Sequence, residues 1–320
     1  MNMRKYVIRR FIDSIGTLFF ITVFNFFLFR LMPGDPIALM IRTRRFTQSM
    51  VARFEQIYGL DKPMWQQFFM YIKNLLTFDL GLSFAYQTEA GPLILEKVGN
   101  SILLLVTAII LALTIGTLLG LLAGWFHGKP IDLSLIGTSL FFYCMPTFWI
   151  AMVFAASFAG ILPISGMRTL TLYNASWFVR LLDLVKHIML PTIVITILYI
   201  GEMLILARNE VSNILTQDYI NTARAKGLRP RQIIFRHVLR NASLPLVSMG
   251  GISFAFLVGG SIQAEIIFSW PGVGRLMYNA ALARDYTVLQ GCFYVLSLTV
   301  LIVNFLTDIA YKYLDPRVEY

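Results

Sequence analysis

Apolar residues in this chain gather into six long runs divided by polar stretches, without the alternation of a strand that faces water on one side. The runs lie at about Phe11 to Leu31, Ile102 to Trp125, Leu133 to Phe158, Ile188 to Ala207, Ala242 to Ile262, and Val288 to Ala310. Each approaches or exceeds the roughly 20 residues that a helix needs to cross a hydrocarbon core of about 30 Å. Richness in Ala and Leu, lengths beyond those of strands and the lack of a dyad repeat argue for helices over a barrel. The pattern predicts an all-α polytopic membrane protein with six transmembrane helices.

The first connection, about Met32 to Gly99, is the longest and is punctuated by Pro33, Gly34, Pro36, Gly59 and Pro63. Within it, Ser49 to Tyr58 and Lys62 to Leu76 show helical spacing, with Met50, Phe54 and Ile57 on one face and Trp65, Phe69, Ile72 and Leu76 on the other. Two short interfacial helices capping the outer mouth are expected. The chain then divides into 1–98, the first span and its cap; 99–312, a five-helix core with a cytoplasmic loop at about 208–240; and 313–320, a cytoplasmic tail.

Composition agrees: 57% hydrophobic residues, 14% charged and a mean hydropathy of +0.69 exclude an ordinary soluble domain. The net charge of +10 raises nucleic acid as a partner, but the placement of the charges accounts for it better. With both termini in the cytoplasm, fourteen cations fall inside against five in the short outer loops, as positive-inside topology requires. No nucleic-acid partner is expected. The first run is too long for the core of a signal peptide and lacks a small-residue cleavage site, so it is expected to stay as the first helix. Cys144 and Cys292 both fall within spans, which makes a disulfide framework unexpected.

Gly116, Gly120 and Gly124 form an i, i+4, i+8 ladder that permits close helix approach in lipid, a packing device silent about chemistry. A charge at the bilayer centre costs about 2.5 to 3.5 kcal/mol on insertion scales, so each intramembrane charge needs a reason. Asp13 and Asp308 can reach water at span ends, whereas Glu202 lies deeper, a turn and a half before Arg208. Glu202 either faces an internal polar cavity or pairs with a cation from a neighbouring helix. In the last outer loop, Gln263 to Thr287, the run Phe268-Ser269-Trp270-Pro271-Gly272 suggests a tight turn at headgroup level. Trp270 and Pro271 are candidates for a pathway or gate lining; an interfacial loop is the plainer reading.

No G-x-x-x-x-G-K-[ST] run occurs, so this chain is not expected to bind ATP itself. His127, His187 and His237 are far apart, and no H-E-x-x-H, cysteine pair or G-x-S-x-G is present to suggest a metal or a nucleophile. No catalytic residue, metal or cofactor is expected on the chain.

The segment Tyr219 to Arg240 carries six Lys or Arg and no Asp or Glu, which places it in the cytoplasm. Asn213 to Lys226 can continue as helix beyond the fourth span; Gly227 can take the left-handed conformation that ends it, and Pro230 suits the first turn of a second short helix reaching Arg240. Tyr219, Ile220, Ala223 and Ala225 would offer small and apolar contacts, with Arg224 and Lys226 supplying charge, to a groove on another protein.

Here the chain resembles the permease subunits of ATP-binding cassette importers, whose cytoplasmic loop carries E-A-A, three residues, then G. The register is Asn221-Thr222-Ala223, Arg224-Ala225-Lys226, Gly227, so only the second Ala and the Gly match the general form. The Thr-Ala-Arg-Ala-Lys-Gly version, preceded by Asp218-Tyr219 and followed by Arg236-His237 and Leu244-Pro245, is similar to the dipeptide and oligopeptide branch. Leu31-Met32-Pro33-Gly34-Asp35-Pro36, Gly59-Leu60-Asp61-Lys62-Pro63, Asp79-Leu80-Gly81, Phe268 to Gly272 and Asp315-Pro316-Arg317 agree, and the long cap resembles the B-type permease of such systems.

The resemblance implies a type I importer permease fold and a non-catalytic subunit in a prokaryotic cytoplasmic (inner) membrane. The implied partners are a second permease, two cytoplasmic ATPases that hold ATP and Mg, and an extracytoplasmic binding protein. Asn221, Thr222, Ala223, Arg224, Ala225, Lys226, Gly227, Leu228, Arg229 and Pro230 would couple to the ATPase. Peptide is the implied cargo; oligosaccharides, nickel chelates and glutathione are cargoes of the same branch. A self-contained secondary transporter would need an inverted repeat or midplane charge pairs, and a membrane enzyme would need a nucleophile or metal motif. The sequence offers little support for either.

Overall fold

The computed structural model of this protein describes residues 3–31 and 62–314. The expected Ser49 to Tyr58 helix, the Met32 to Pro36 and Gly59 to Asp61 stretches and Asp315 to Arg317 lie outside those residues, as does most of the 313–320 tail. Among the described residues the regular structure is helical, with two isolated bridges in the connections. Its helices are α1 (Met3–Leu31), α2 (Met64–Leu76), α3 (Ala90–Trp125), α4 (Pro130–Tyr143), α5 (Thr147–Ser157), α6 (Trp177–Leu215), α7 (Asp218–Ala225), α8 (Pro230–Ile233), α9 (Leu239–Ile267), α10 (Val273–Ala283) and α11 (Tyr286–Leu314). A short 3₁₀ turn occupies Leu170–Leu172, and a π turn at Ile234–Val238 joins α8 to α9.

Among the described residues four helices are long and apolar enough to cross a membrane: α1, α3, α6 and α11 up to Ala310. The expected third span, Leu133 to Phe158, is not one straight helix. It is the pair α4 and α5, bent by 96°. Pro146 brings the break, because it lacks an N–H and disfavours helical geometry at Met145 before it; it sits in extended backbone, φ −61° and ψ 133°, as the N-cap of α5. The expected fifth span, Ala242 to Ile262, falls inside α9, which is 29 residues long.

The helices belong to two compact units. The first comprises Met1–Arg10, Asn100–Arg275 and Ile302–Tyr320. Its core joins Leu104, Leu105 and Ala108 of α3, Ile150 and Ala151 of α5, Leu190, Val194 and Ile195 of α6, and Ala264, Phe268 and Trp270 at the end of α9. Lipid tails are as apolar as leucine, so close packing, more than transfer from water, holds such helices together. The glycine ladder supplies that closeness: a Cβ on Gly120 would lie 2.5 Å from the Leu204 carbonyl oxygen, and its neighbours Gly116 and Gly124 abut Met203 and Val211. The ladder is thus the α3–α6 seam within this unit.

The second unit comprises Phe11–Gly99 and Leu276–Leu301. Phe26 of α1 is fully buried and meets Phe68 edge to face at 5.2 Å and Tyr71 at 5.5 Å, both on α2. Asn25 donates to the Tyr71 hydroxyl and to the Gln290 carbonyl, each at 3.1 Å. Burial pushes the Tyr71 phenol up to about 12, so it stays protonated. Asp285 accepts from the Ser83 hydroxyl at 2.6 Å and the Ala85 N–H at 3.0 Å, which pins the turn ahead of α3 to the start of α11. On α2 the packed face holds Phe68, Tyr71 and Leu75, whereas Trp65, Phe69 and Leu76 of the expected apolar face are exposed.

Candidate functional site

The basic segment forms a helix, a turn and a helix, with its first break earlier than the sequence suggests. α6 stops at Leu215; Thr216 and Gln217 turn the chain, and α7 runs as a separate helix of eight residues. The expected continuous helix from Asn213 to Lys226 is therefore two. Asp218 in the first turn of α7 and Arg224 in the last complement the helix dipole. The helix ends in a Schellman pattern: the Leu228 N–H donates to the Ala223 carbonyl at 3.2 Å and the Gly227 N–H to that of Arg224 at 2.9 Å. Gly227 has φ +75°, the left-handed conformation that a Cβ disfavours. Pro230 then opens α8, where the Gln232 side chain accepts from the Arg229 N–H at 2.9 Å. The second helix does not end near Arg240 but continues through the π turn into α9.

Packing decides which side of α7 is available. Ile220 and Ala223, three residues apart, are buried with Val211, Ile214, Ile233, Val238 and Ala242 in a small cluster of their own. They seat the helix on its own chain and are not free to contact a groove elsewhere, contrary to the expected role. Asn221, Thr222, Arg224, Ala225, Lys226, Gly227, Arg229 and Pro230 are exposed, and Leu228 is half-buried. Tyr219 is partly exposed and its hydroxyl accepts from Asn241 at 3.0 Å, tying α7 to α9. The result is a braced helix with a polar, cationic outer face.

Near this segment lies an ion pair that the sequence does not announce. Asp132, fully buried at the start of α4, takes two bonds from Arg208 of α6, at 3.1 Å from Nε and 2.8 Å from Nη2, and one from the Gly128 N–H at 2.8 Å. His127 stands 3.6 Å away. The pair joins the bent span to the helix that leads into α7.

Trp270 is fully buried within the fold and does not present its ring at the surface. Its indole N–H donates to the Asn100 carbonyl at 3.0 Å, and the Asn100 side chain donates to the Pro271 carbonyl at 3.0 Å. Beneath the turn, the buried Glu265 accepts from Ser101 at 2.6 Å and from the Arg275 N–H at 3.1 Å, while Ser101 accepts from the Val273 N–H at 2.8 Å. A Cβ on Gly272 would overlap the Glu265 carboxyl group, so glycine is needed for this approach. Trp270 and Pro271 thus belong to a rigid corner built on α3 and α9. The sequence clue to Glu265 is its place three residues before Phe268; its partner Ser101 is 164 residues away and leaves no local signature.

Glu202 is half-buried on α6 and, among the described residues, accepts a bond at the limit of hydrogen bonding from the Ser253 hydroxyl at 3.5 Å. Among the described residues no Lys, Arg or His pairs with it. The neighbouring-helix cation is not found there. The structure brings Glu202 together with Ser253 and leaves it apart from the Trp270 corner, whose polar groups are all assigned to other partners.

Three comparisons bear on this arrangement. Residues 116–320 match the profile of the binding-protein-dependent transport system inner membrane component, and residues 3–86 match the N-terminal membrane component of the same systems. The chain is 33% identical over 321 residues to the probable peptide ABC transporter permease protein y4tP of Sinorhizobium fredii, covering 99% of this chain and 100% of the relative. It is 33% identical to the oligopeptide transport system permease protein AppB of Bacillus subtilis, again across 99% of this chain and 100% of the relative. The dipeptide transport system permease protein DppB of Escherichia coli is 32% identical over 99% of both. Among solved structures, a chain of the inward-facing MetNI methionine ABC transporter superposes with a TM-score of 0.54 and 18% identity, covering 70% of this chain and 96% of that one, a likeness of fold. The protein is a multi-pass membrane component, not the ATP-hydrolysing enzyme, and it belongs to the inner-membrane permease family of binding-protein-dependent ABC transport systems.

Proposed function

We propose that this chain is one of two permease subunits of a peptide importer in a prokaryotic cytoplasmic membrane, with six spans and both termini inside. The second permease completes the pathway, two ATPases bind ATP and Mg in the cytoplasm, and an extracytoplasmic protein delivers cargo. The observation that carries the coupling role is α7: its inner face is locked by Ile220 and Ala223, its outer face is polar and cationic, and its end is fixed by Gly227. A helix held this firmly passes on displacement from a partner seated against it, whereas a loose loop would absorb it. The polar outer side, from Asn221 to Lys226, and the turn to Pro230 are the contact with the ATPase.

Motion received at α7 reaches α6 and α9 through the shared cluster, and reaches the bent pair α4 and α5 through Asp132 and Arg208. Peptide is favoured as cargo because relatives similar over the full length carry peptide, oligopeptide and dipeptide names. Oligosaccharide, nickel chelate and glutathione are the competing cargoes. The test is reconstitution of this chain with its second permease, both ATPases and the binding protein, with cargo identified by what the binding protein holds. Uptake of a peptide that requires ATP supports the reading. Uptake by this chain alone, driven by an ion gradient, would show a secondary transporter and overturn it.

A further inference from the structure

The four buried carboxylates of the described chain are all well supplied with donors. Asp132 has Arg208 and the Gly128 N–H; Asp183 has the Thr169 N–H and hydroxyl at 2.8 and 2.7 Å; Glu265 has Ser101 and the Arg275 N–H; Asp285 has Ser83 and the Ala85 N–H. Glu202 is different. It lies inside a span, six residues or about 9 Å along the helix from Arg208, yet among the described residues the hydrogen bond it accepts is the 3.5 Å approach of Ser253. Arg208 cannot serve it, being committed to Asp132, and the same-face positions Leu198, Ile205 and Leu206 carry no charge.

The neighbouring packing fixes where this carboxylate stands. Gly201 is pressed against the Ser139 backbone of α4, and Met203 and Leu204 fill the glycine ladder of α3, so residue 202 emerges between those contacts beside α9. Tyr199, three residues earlier on α6, lies on the same side of the helix. Carboxylates within spans almost always face the bundle interior or a polar cavity, and one flanked by a phenol and a hydroxyl is suited to a cation that comes and goes.

We propose that Glu202, flanked by Tyr199 and Ser253, is a specificity-determining contact for the ammonium group of the cargo as it passes, in a peptide its free amino terminus. This rests on the peptide-import reading above and adds a site within this chain. The carboxylate accepts two or three charge-assisted hydrogen bonds from the ammonium, replacing water, and releases it without any covalent step.

The test uses the complete importer in proteoliposomes, with the binding protein preloaded with either trialanine or N-acetyl-trialanine, so that passage and not capture is read. Trialanine has no side-chain charge, which leaves the amino terminus as its one ammonium source. Wild type should move the free peptide about tenfold faster than the acetylated one, the worth of one charged contact. Glu202→Gln should bring the two rates together by slowing the free peptide, and Glu202→Asp should restore most of the difference. Equal rates in wild type, or a difference kept by Glu202→Gln, overturns the proposal. Loss of the second permease from purified Glu202→Gln complexes, with recovery in Glu202→Asp, would assign the carboxylate to a subunit ion pair and equally overturn it. An assembled wild-type complex that hydrolyses ATP but moves no peptide would instead refute the peptide reading, and the inference with it.

Discussion

Single residues in this chain matter most where a buried charge or hydroxyl serves two elements at once. Asp132→Ala removes the partner of a largely buried guanidinium whose side chain is 20% exposed, leaving Arg208 without its counter-charge. Breaking such a pair from one side costs about 3 kcal/mol or more. Thermal unfolding of the purified permease should show Asp132→Ala well below wild type, with Asp132→Ala/Arg208→Leu recovering part of the loss; a double variant as unstable as the sum of its single changes would refute this account. Ser101→Ala deletes one donor to Glu265 and one acceptor for the Val273 N–H, with an expected cost of about 2 kcal/mol in the same assay. Neither residue stands out in the sequence. Asp132 reads locally as an acidic residue in the first turn after Pro130, and the identity of its partner, 76 positions on, comes only from the fold.

Whole elements were more legible, though mainly as stretches and not as faces. Length and apolar content place α1, α3, α6 and α11, because those depend on the chain's local composition. The 96° bend between α4 and α5 was also local in origin, but Pro146 inside an apolar run reads equally as a tolerated kink, since membrane helices often accommodate proline. Pro191 shows that alternative within α6, which continues through it. In α7 the turn at Gly227 followed directly from Gly and Pro chemistry, whereas the inward side of Ile220 and Ala223 depends on which helix lies beneath. Gly227→Val tests the element. Forcing a β-branched residue to φ +75° costs about 1 to 2 kcal/mol at an exposed site with open space around it, so the chain should still fold while the end of α7 shifts. Transport per ATP hydrolysed in the reconstituted complex should fall on the order of tenfold; an unchanged ratio would mean that α7 is not the coupling element.

At the scale of the molecule, the charge distribution makes a claim that packing alone does not. Helical hydrogen bonding and apolar composition are indifferent to which end of a span faces the cytoplasm, so orientation comes from the fourteen cations assigned inside against five in the short outer loops. On that bias the outer face of α7 is expected in the cytoplasm, and the stretch between α5 and α6, where Leu170 is 92% exposed, on the other side. The segment is informative because it connects two strongly apolar elements and no long loop weakens the charge rule there. With Cys144 and Cys292 replaced by Ser, Leu170→Cys should react with a membrane-impermeant maleimide in intact cells. Ala225→Cys, exposed on α7, should react only after the membrane is opened. The reverse pattern would put the cationic helix outside, beyond the reach of any cytoplasmic ATPase, and the coupling mechanism would fall even though every helix stayed where it is.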